Sequence, residues 1–248
     1  MQVEFLNTTE EEFLSTKLIH KFLPVESALD MLSKKYFWLA DPKVWKDPFE
    51  KRFIEASYGG KPFAWKDRVF CTCLTGTSTS EAFWNTYSKN EFGVQLKIRR
   101  EILLQVINNY AIRNPSYRII IGRIEYKGTN DIVKSLSAIP FDPPLADTNP
   151  NSQYFKARLL LLKRIAYQYE NEYRVIVVKD KKTKELGIKM PFGMSNEDLI
   201  DSITLDPNLK SNISSLFKSE FNRLMNNTSS KTKVFQSQLY VHYKPAKY

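Results

Sequence analysis

Histidine and cysteine are both scarce in this chain, with two of each among 248 residues. A multi-histidine zinc or di-iron centre would have to be built mainly from carboxylates, which argues against a metalloenzyme. A Ser-His or Cys-His hydrolase would need His20 or His242 beside its nucleophile, and the sequence has no nucleophile-elbow motif. Glycine is also sparse, at eight residues. No GxGxxG occurs, and Gly59-Gly60-Lys61-Pro62 lacks the spacing and the following hydroxyl of a phosphate-binding loop. Kinase, ATPase and Rossmann-type dehydrogenase chemistry are disfavoured on that ground. There is no apolar run of about eighteen residues, and the polar, acidic stretch Met1 to Glu12 is unlike a signal peptide. No membrane association is expected. Cys71 and Cys73 flank Thr72 in an apparent strand. They are read as projecting to opposite faces and unable to bridge, which fits a reducing cytoplasm.

What the chain has in quantity is apolar surface and positive charge. Hydrophobic residues make up 42% and aromatics 13%, enough for a packed core. No Gly/Ser-rich or acidic linker interrupts the chain, so a single domain over residues 1–248 is expected. Lysine and arginine number 37 against 27 acidic residues, a formal charge of +10. Such an excess speeds capture of polyanions, so a nucleic-acid or nucleotide partner is expected; a dispersed solvated surface, or a patch for an acidic protein, would account for it as well.

Hydrophobic periodicity predicts a mixed α+β fold with largely antiparallel sheets flanked by helices. Glu10 to Ser15 reads as a short helix and Lys17 to Phe22 as the first strand. Pro24 then opens a helix with Val25, Leu29 and Leu32 on one face, before the apolar strand Tyr36 to Ala40. Asp47 as N-cap and Pro48 at the first position predict another helix start. Strands are expected over Arg68 to Leu74, Phe92 to Ile98 and Tyr117 to Tyr126, with a helical turn at Ser80 to Ser88 and a helix from Arg99 to Tyr110. Proline-rich Pro140 to Pro150 reads as a loop, Ser152 to Arg164 as a helix, and the β-branched run Glu172 to Val178 as an inner strand. After a charged turn at Lys179 to Lys184, a short strand is expected at Ile203 to Leu205. Asp206-Pro207 would cap a helix carrying Leu209 to Leu224, and Val234 to Tyr243 would close as a strand.

The segment with most chemical potential is Tyr169-Glu170-Asn171-Glu172-Tyr173-Arg174, which leads into Val175 to Val178. On a strand, spacing of two puts both carboxylates on one face. A carboxylate at a strand's mouth can hydrogen-bond a ribose hydroxyl and stabilise an oxocarbenium-like centre. The same residues could instead be edge charges pairing with Arg174, Lys163 or Arg164. Trp84 and Tyr87 could stack on a nicotinamide or adenine ring, or Phe83 and Trp84 could be core. Asp47 and Glu50 could be catalytic carboxylates, or a helix N-cap and first-turn acid.

In order and spacing these segments resemble the family designated domain of unknown function 2971. The resemblance is carried by Ile19-His20-Lys21-Phe22-Leu23-Pro24 and by Tyr36 to Pro42, continued by Lys46-Asp47-Pro48-Phe49-Glu50. It extends through Phe70-Cys71-Thr72-Cys73-Leu74, Phe83-Trp84-Asn85-Thr86-Tyr87 and Phe92-Gly93-Val94. Its most specific part is the Glu-x-Glu-Tyr-Arg signature Glu170 to Arg174, with Leu162-Lys163-Arg164 before it. Lys46, Phe83 and Phe92 depart from the family's usual Asn, Met and His.

The resemblance implies an ADP-ribosyltransferase-like core and NAD as co-substrate, without a metal. It implies Glu172 as catalytic glutamate, Glu170 assisting at the acceptor, and Arg174 orienting a carboxylate or phosphate. Lys21 and Phe22 would border the dinucleotide, Trp84 and Tyr87 would form a ring-binding wall, and Asp47 would also lie at the dinucleotide. His20 takes the place of Lys21 if the register shifts by one, but strand alternation then turns it to the other face. The acceptor implied is a nucleic acid, RNA before DNA. The biological setting would be a toxin or anti-phage effector held by an antitoxin or chaperone.

Two other classes fit the same residues. One is a catalytically silent nucleic-acid- or protein-binding module with a basic stripe drawn from Lys97, Arg99, Arg100, Arg113, Arg118 and Arg123. The other is a nuclease with a metal cluster of Asp47, Glu50, Glu170 and Glu172.

Overall fold

The computed structural model describes residues 3–55, 57–58, 61–62, 65–78, 80–88, 92–137, 157–225 and 233–240. The Pro140 to Pro150 loop, the first part of the helix expected from Ser152, Gly59-Gly60, His242 and the end of the closing strand lie outside them.

Among the described residues the strands are β1 (Glu4–Leu6), β2 (Leu18–Pro24), β3 (Tyr36–Ala40), β4 (Ser57–Tyr58), β5 (Lys61–Pro62), β6 (Val69–Thr75) and β7 (Gly93–Arg99). They continue as β8 (Arg118–Arg123), β9 (Glu125–Lys127), β10 (Leu162–Arg164), β11 (Glu172–Val178), β12 (Gly187–Pro191), β13 (Ile200–Leu205) and β14 (Lys233–Gln236). The helices are α1 (Glu10–Leu14), α2 (Val25–Lys34), α3 (Pro48–Glu55), α4 (Glu81–Tyr87), α5 (Arg100–Arg113), α6 (Thr129–Ser137), α7 (Asn196–Leu199) and α8 (Ser211–Leu224). The fold is mixed α+β and its strand pairing is largely antiparallel, as the periodicity predicts.

The chain divides into two compact units, each drawn from three separate segments. The first comprises Met1–Phe13, Trp38–Cys73 and Ile107–Met190, and the second Leu14–Phe37, Leu74–Val106 and Pro191–Tyr248.

In the first unit the strand order is β1-β8-β11-β6, with β8 antiparallel to β11 and parallel to β1. Every residue of β11 is buried, which explains its continuous apolar run. Its core gathers Trp65, Ile120, Ile176 and the leucines from Leu159 to Leu162. Asp47 does cap α3, accepting from the Phe49 backbone N–H at 2.8 Å.

Several expectations for this unit are corrected. Tyr117 to Tyr126 is two strands, because β8 ends at Arg123 and β9 restarts at Glu125. Leu162 to Arg164 is a strand parallel to β9, not the end of a helix. Four consecutive buried leucines carry no period that separates the two. Strands β1 and β12 and helix α6 were not anticipated. Cys71 and Cys73 are not joined in a disulfide. Being two apart on β6, they share a face rather than pointing to opposite ones.

In the second unit β2 pairs antiparallel with β7, β7 with β13, and β13 runs parallel to β14. One face of these strands is apolar: Ile19, Leu23, Val94, Leu96, Ile98, Ile203 and Leu205 are all buried. Helix α2 brings Leu32 into this core and α8 brings Phe221. Asp206 does not cap α8. It closes a turn by accepting from the Asn208 backbone N–H at 2.7 Å, and the helix starts only at Ser211, after Lys210.

Gly122 on β8 lies opposite Arg174 on β11. A methyl group there would come within 2.4 Å of Leu161 Cδ1, and Leu161 is fully buried. Gly122→Ala should destabilise the protein by about 1–3 kcal/mol, as overpacking does. In chemical denaturation the loss should be partly recovered in the Gly122→Ala/Leu161→Ala double variant, measured as a coupling in a double-mutant cycle.

Candidate active site

Glu170 and Glu172 are positioned by a sharp change of backbone between them. Ile165–Glu170 forms a 3-10 helix that ends at Asn171, in the left-handed region at φ 41°, and β11 begins at Glu172. Asparagine tolerates that conformation better than most side chains. The two carboxylates therefore do not share a strand face, as their spacing suggested. They converge instead on one ammonium group: Lys163 Nζ on β10 donates to Glu170 Oε2 at 2.5 Å and to Glu172 Oε2 at 2.9 Å.

Arg174, on the same face of β11 as Glu172, completes the cluster. Its Nε donates to Glu172 Oε1 at 2.7 Å and its Nη2 to Glu172 Oε2 at 3.2 Å. Nη1 reaches the Leu160 carbonyl at 2.7 Å, Nη2 also pairs with Glu50 on α3, and the guanidinium lies 4.3 Å from the Trp45 ring centroid. The Glu172 backbone N–H donates to the Tyr126 hydroxyl at 2.8 Å. Glu50, Lys163, Glu170, Glu172 and Arg174 are all buried.

Three carboxylates thus share two cations away from water, and their electrostatics separate. Burial by itself would raise the Glu172 carboxyl, but the adjacent Arg174 and Lys163 outweigh it and hold the group well below the usual range. Glu170 is pushed up to about 7, by burial first and the Glu172 charge second, with Lys163 opposing. One carboxylate is a fixed anion and its neighbour exchanges a proton near neutrality.

Asp47 sits in the same unit and is bound by Arg164 Nη2 at 3.0 Å, beside the Tyr167 hydroxyl. Lys21, Phe22, Trp84 and Tyr87 fall in the second unit. Phe22 stacks on Phe83 with centroids 4.6 Å apart and meets Trp84 edge-on at 5.1 Å, while Tyr87 stacks on Phe83 at 5.7 Å. Trp84 is buried yet borders a cavity of about 510 Å³, and Phe22 and His20 project to one face of β2 while Lys21 takes the other.

Glu50, Glu170 and Glu172 are brought together around ammonium and guanidinium groups. Among the described residues, no cluster of three or more His, Cys, Asp or Glu side chains is placed to hold a metal. Three of the arginines considered for a basic stripe have partners within the fold. Arg99 donates to the Glu197, Asp198 and Ile200 carbonyls, Arg100 is buried against the Leu18 carbonyl, and Arg118 pairs with Glu4. Tyr126 and Trp45 were missed as members of the cluster. Both are aromatic residues in otherwise ordinary segments, and only the tertiary fold brings them to it.

The model of one family matches this chain. It is the family described as protein of unknown function (DUF2971), and the match covers residues 83–175. That is the family which the sequence motifs resemble. The matched stretch contains Trp84, Tyr87, Lys163, Glu170, Glu172 and Arg174. A search of curated proteins finds no match. Two solved structures of DarT from Thermus sp. 2.9 align with 90% of this chain and 96% of theirs. The complex with carba-NAD+ has 10% identity and a TM-score of 0.35, and the complex with NAD+ 11% and 0.37. No helix of the described residues is long and apolar enough to cross a membrane.

Two predictions follow from the cluster. Arg174→Ala leaves Glu172 and Glu50 without their buried partner, so urea unfolding should show a loss of about 3–5 kcal/mol. The second concerns pH. Glu170 titrates higher in the folded chain than in the unfolded one, so its contribution to stability is complete below its ordinary value and fades as pH rises toward about 7. The melting temperature should therefore fall less steeply between about pH 5 and about pH 7.5 in Glu170→Gln than in the wild type.

Proposed function

We propose that this chain is an ADP-ribosyltransferase that takes NAD as donor and a nucleic acid as acceptor, RNA in preference to DNA, with Glu172 as the catalytic glutamate and Glu170 assisting. The observation that carries the reading is the convergence of two adjacent carboxylates on Lys163, with Arg174 on Glu172 as well, so that Glu172 is held ionised while burial and the Glu172 charge raise Glu170. Neighbouring acids driven apart in this way divide the labour of acid–base chemistry. The Glu-x-Glu-Tyr-Arg motif, Glu170 to Arg174, supports the same reading by the resemblance it carries.

In the reaction, the bond between ribose C1 and the nicotinamide nitrogen breaks, and its electron pair leaves with nicotinamide. Positive charge develops on the ribose, and the Glu172 anion opposes it. The acceptor's nucleophile forms the new bond to C1 and gives up a proton, which Glu170 in its ionised form accepts. Arg174 and Lys163 hold Glu172 ionised and oriented. Lys21 or His20, with Phe22, Trp84, Tyr87 and Asp47, would contact the dinucleotide. The net charge of +10 favours a polyanionic acceptor. A chain that modifies nucleic acid suits a toxin or anti-phage effector restrained by a partner protein.

One observation favours a second reading. Both oxygens of Glu172 are already engaged, by Arg174 and Lys163. In that reading the cluster is a structural ion-pair knot in a catalytically silent binding module.

Incubation with labelled NAD and separate pools of RNA, DNA and cell protein distinguishes the two. Wild-type protein should label RNA most strongly, and Glu172→Gln, which removes charge at constant size, should lower transfer by at least about a hundredfold. Melting curves run alongside establish that the variant is folded. The rate should rise with pH through about 7 in the wild type, and this rise should vanish in Glu170→Gln. Equal labelling by wild type and folded Glu172→Gln rejects the assignment. No labelling, with nucleic-acid binding intact in both, selects the binding module.

A further inference from the structure

The second unit buries one sheet face that is apolar but for Lys21, and its other face carries a polar row. Antiparallel pairing sets Phe22, Gln95 and Thr204 side by side across β2, β7 and β13, and His20, Lys97 and Ser202 in the next row. His20, Gln95, Ser202 and Thr204 are all buried. Polar groups in such positions normally have hydrogen-bond partners. Here the Thr204 hydroxyl and His20 Nδ1 have none among the described residues.

Beside this face lies a cavity of about 510 Å³, lined by Ser78, Trp84, Gln95, Lys97, Thr204 and Phe235 among others. That volume is in the range of small-molecule sites, roughly 300–1,000 Å³. Its chemistry is specific. Trp84 and Phe235 offer aromatic surface. The Gln95 amide donates to the Ser78 carbonyl, which turns its own carbonyl oxygen into an available acceptor. Thr204 supplies an uncommitted hydroxyl. Lys97, held with its ammonium 5.5 Å from the Phe235 ring centroid, supplies a point charge. A planar heterocycle with a hydrogen-bonding edge and an attached anion matches this set.

We infer that this cavity binds a nucleoside monophosphate, with the base against Trp84, its polar edge on Gln95 and Thr204, and the phosphate on Lys97. The inference rests on the NAD-donor reading in one respect, the choice of a nucleotide as ligand class, and makes Gln95, Lys97 and Thr204 the specificity residues of this cavity.

Calorimetric titration with AMP and with nicotinamide mononucleotide, each beside its nucleoside, tests the inference on the full chain. One of the two mononucleotides should bind. Thr204→Val, which matches threonine in shape and removes an unpartnered hydroxyl, should melt no lower than the wild type and weaken that mononucleotide roughly tenfold. Lys97→Met should weaken the mononucleotide but not its nucleoside. Binding of neither mononucleotide, or wild-type affinity in both variants, overturns the inference. The two readings fail separately. Transfer from NAD by a protein that binds neither mononucleotide removes the cavity and leaves the donor assignment. Mononucleotide binding as described, without transfer to any pool, removes the donor assignment and leaves the cavity.

Discussion

A guanidinium with no access to water governs the first unit. Arg174 is 1% exposed and binds Glu172, Glu50 and the Leu160 carbonyl at once. A buried charge is tolerable only when opposite charge and hydrogen bonds compensate it closely, so each partner is constrained by the others. Glu50 fixes where α3 starts relative to β11, and Leu160 fixes the chain just before β10. Lys163 then joins the same cluster through Glu172. Close approach of Leu161 to β8 at Gly122, directly opposite Arg174, belongs to the same arrangement: the backbone is thin there because the leucine segment that feeds the cluster lies against it.

The cluster also explains why two glutamates two residues apart behave differently. Glu172 meets two cations and is held ionised, whereas Glu170 pairs with Lys163 and faces the charge of Glu172. Burial first and the Glu172 charge second raise the Glu170 carboxyl, and the single cation paired with it in this cluster does not offset them.

Much of the fold was legible where a single physical signal dominated. Period-two alternation and β-branched runs located β6, β7 and β11, Asp47-Pro48 located α3, and the apolar stripe of α5 located a long helix. Where two signals competed, the sequence was ambiguous. Leu159 to Leu162 is apolar at every position, so neither period could be read and β10 was taken for helix. Asp206-Pro207 has the composition of a cap, but the aspartate is spent on its own turn. At the site, Glu170, Glu172 and Arg174 announced themselves by proximity in sequence, and Lys163 by its place in a charged segment. Glu50 was a candidate carboxylate, whereas Tyr126 and Trp45 come from segments far along the chain, and no local pattern reports that kind of convergence. The strand reading of Glu170 failed at one residue, because Asn171 turns into the left-handed region and changes the direction of the chain between the two acids.

Each unit buries polar groups, and the two sets described above differ in kind. In the first unit the groups clustered on Arg174 and Lys163 are charged and paired with one another, so their effect is to set protonation states. In the second they are mostly neutral and incompletely compensated, since the Thr204 hydroxyl and His20 Nδ1 stand without partners among the described residues. Burial, and then Lys97 and Arg100, push the His20 imidazole down to about 4, so it stays neutral and adds no charge to that face. An uncharged, under-satisfied face beside Lys97 is suited to recognition, because a ligand's hydrogen bonds there replace none that the protein already makes. A saturated ionic cluster is suited to chemistry that needs charge in place beforehand, because little reorganisation is required when charge develops nearby.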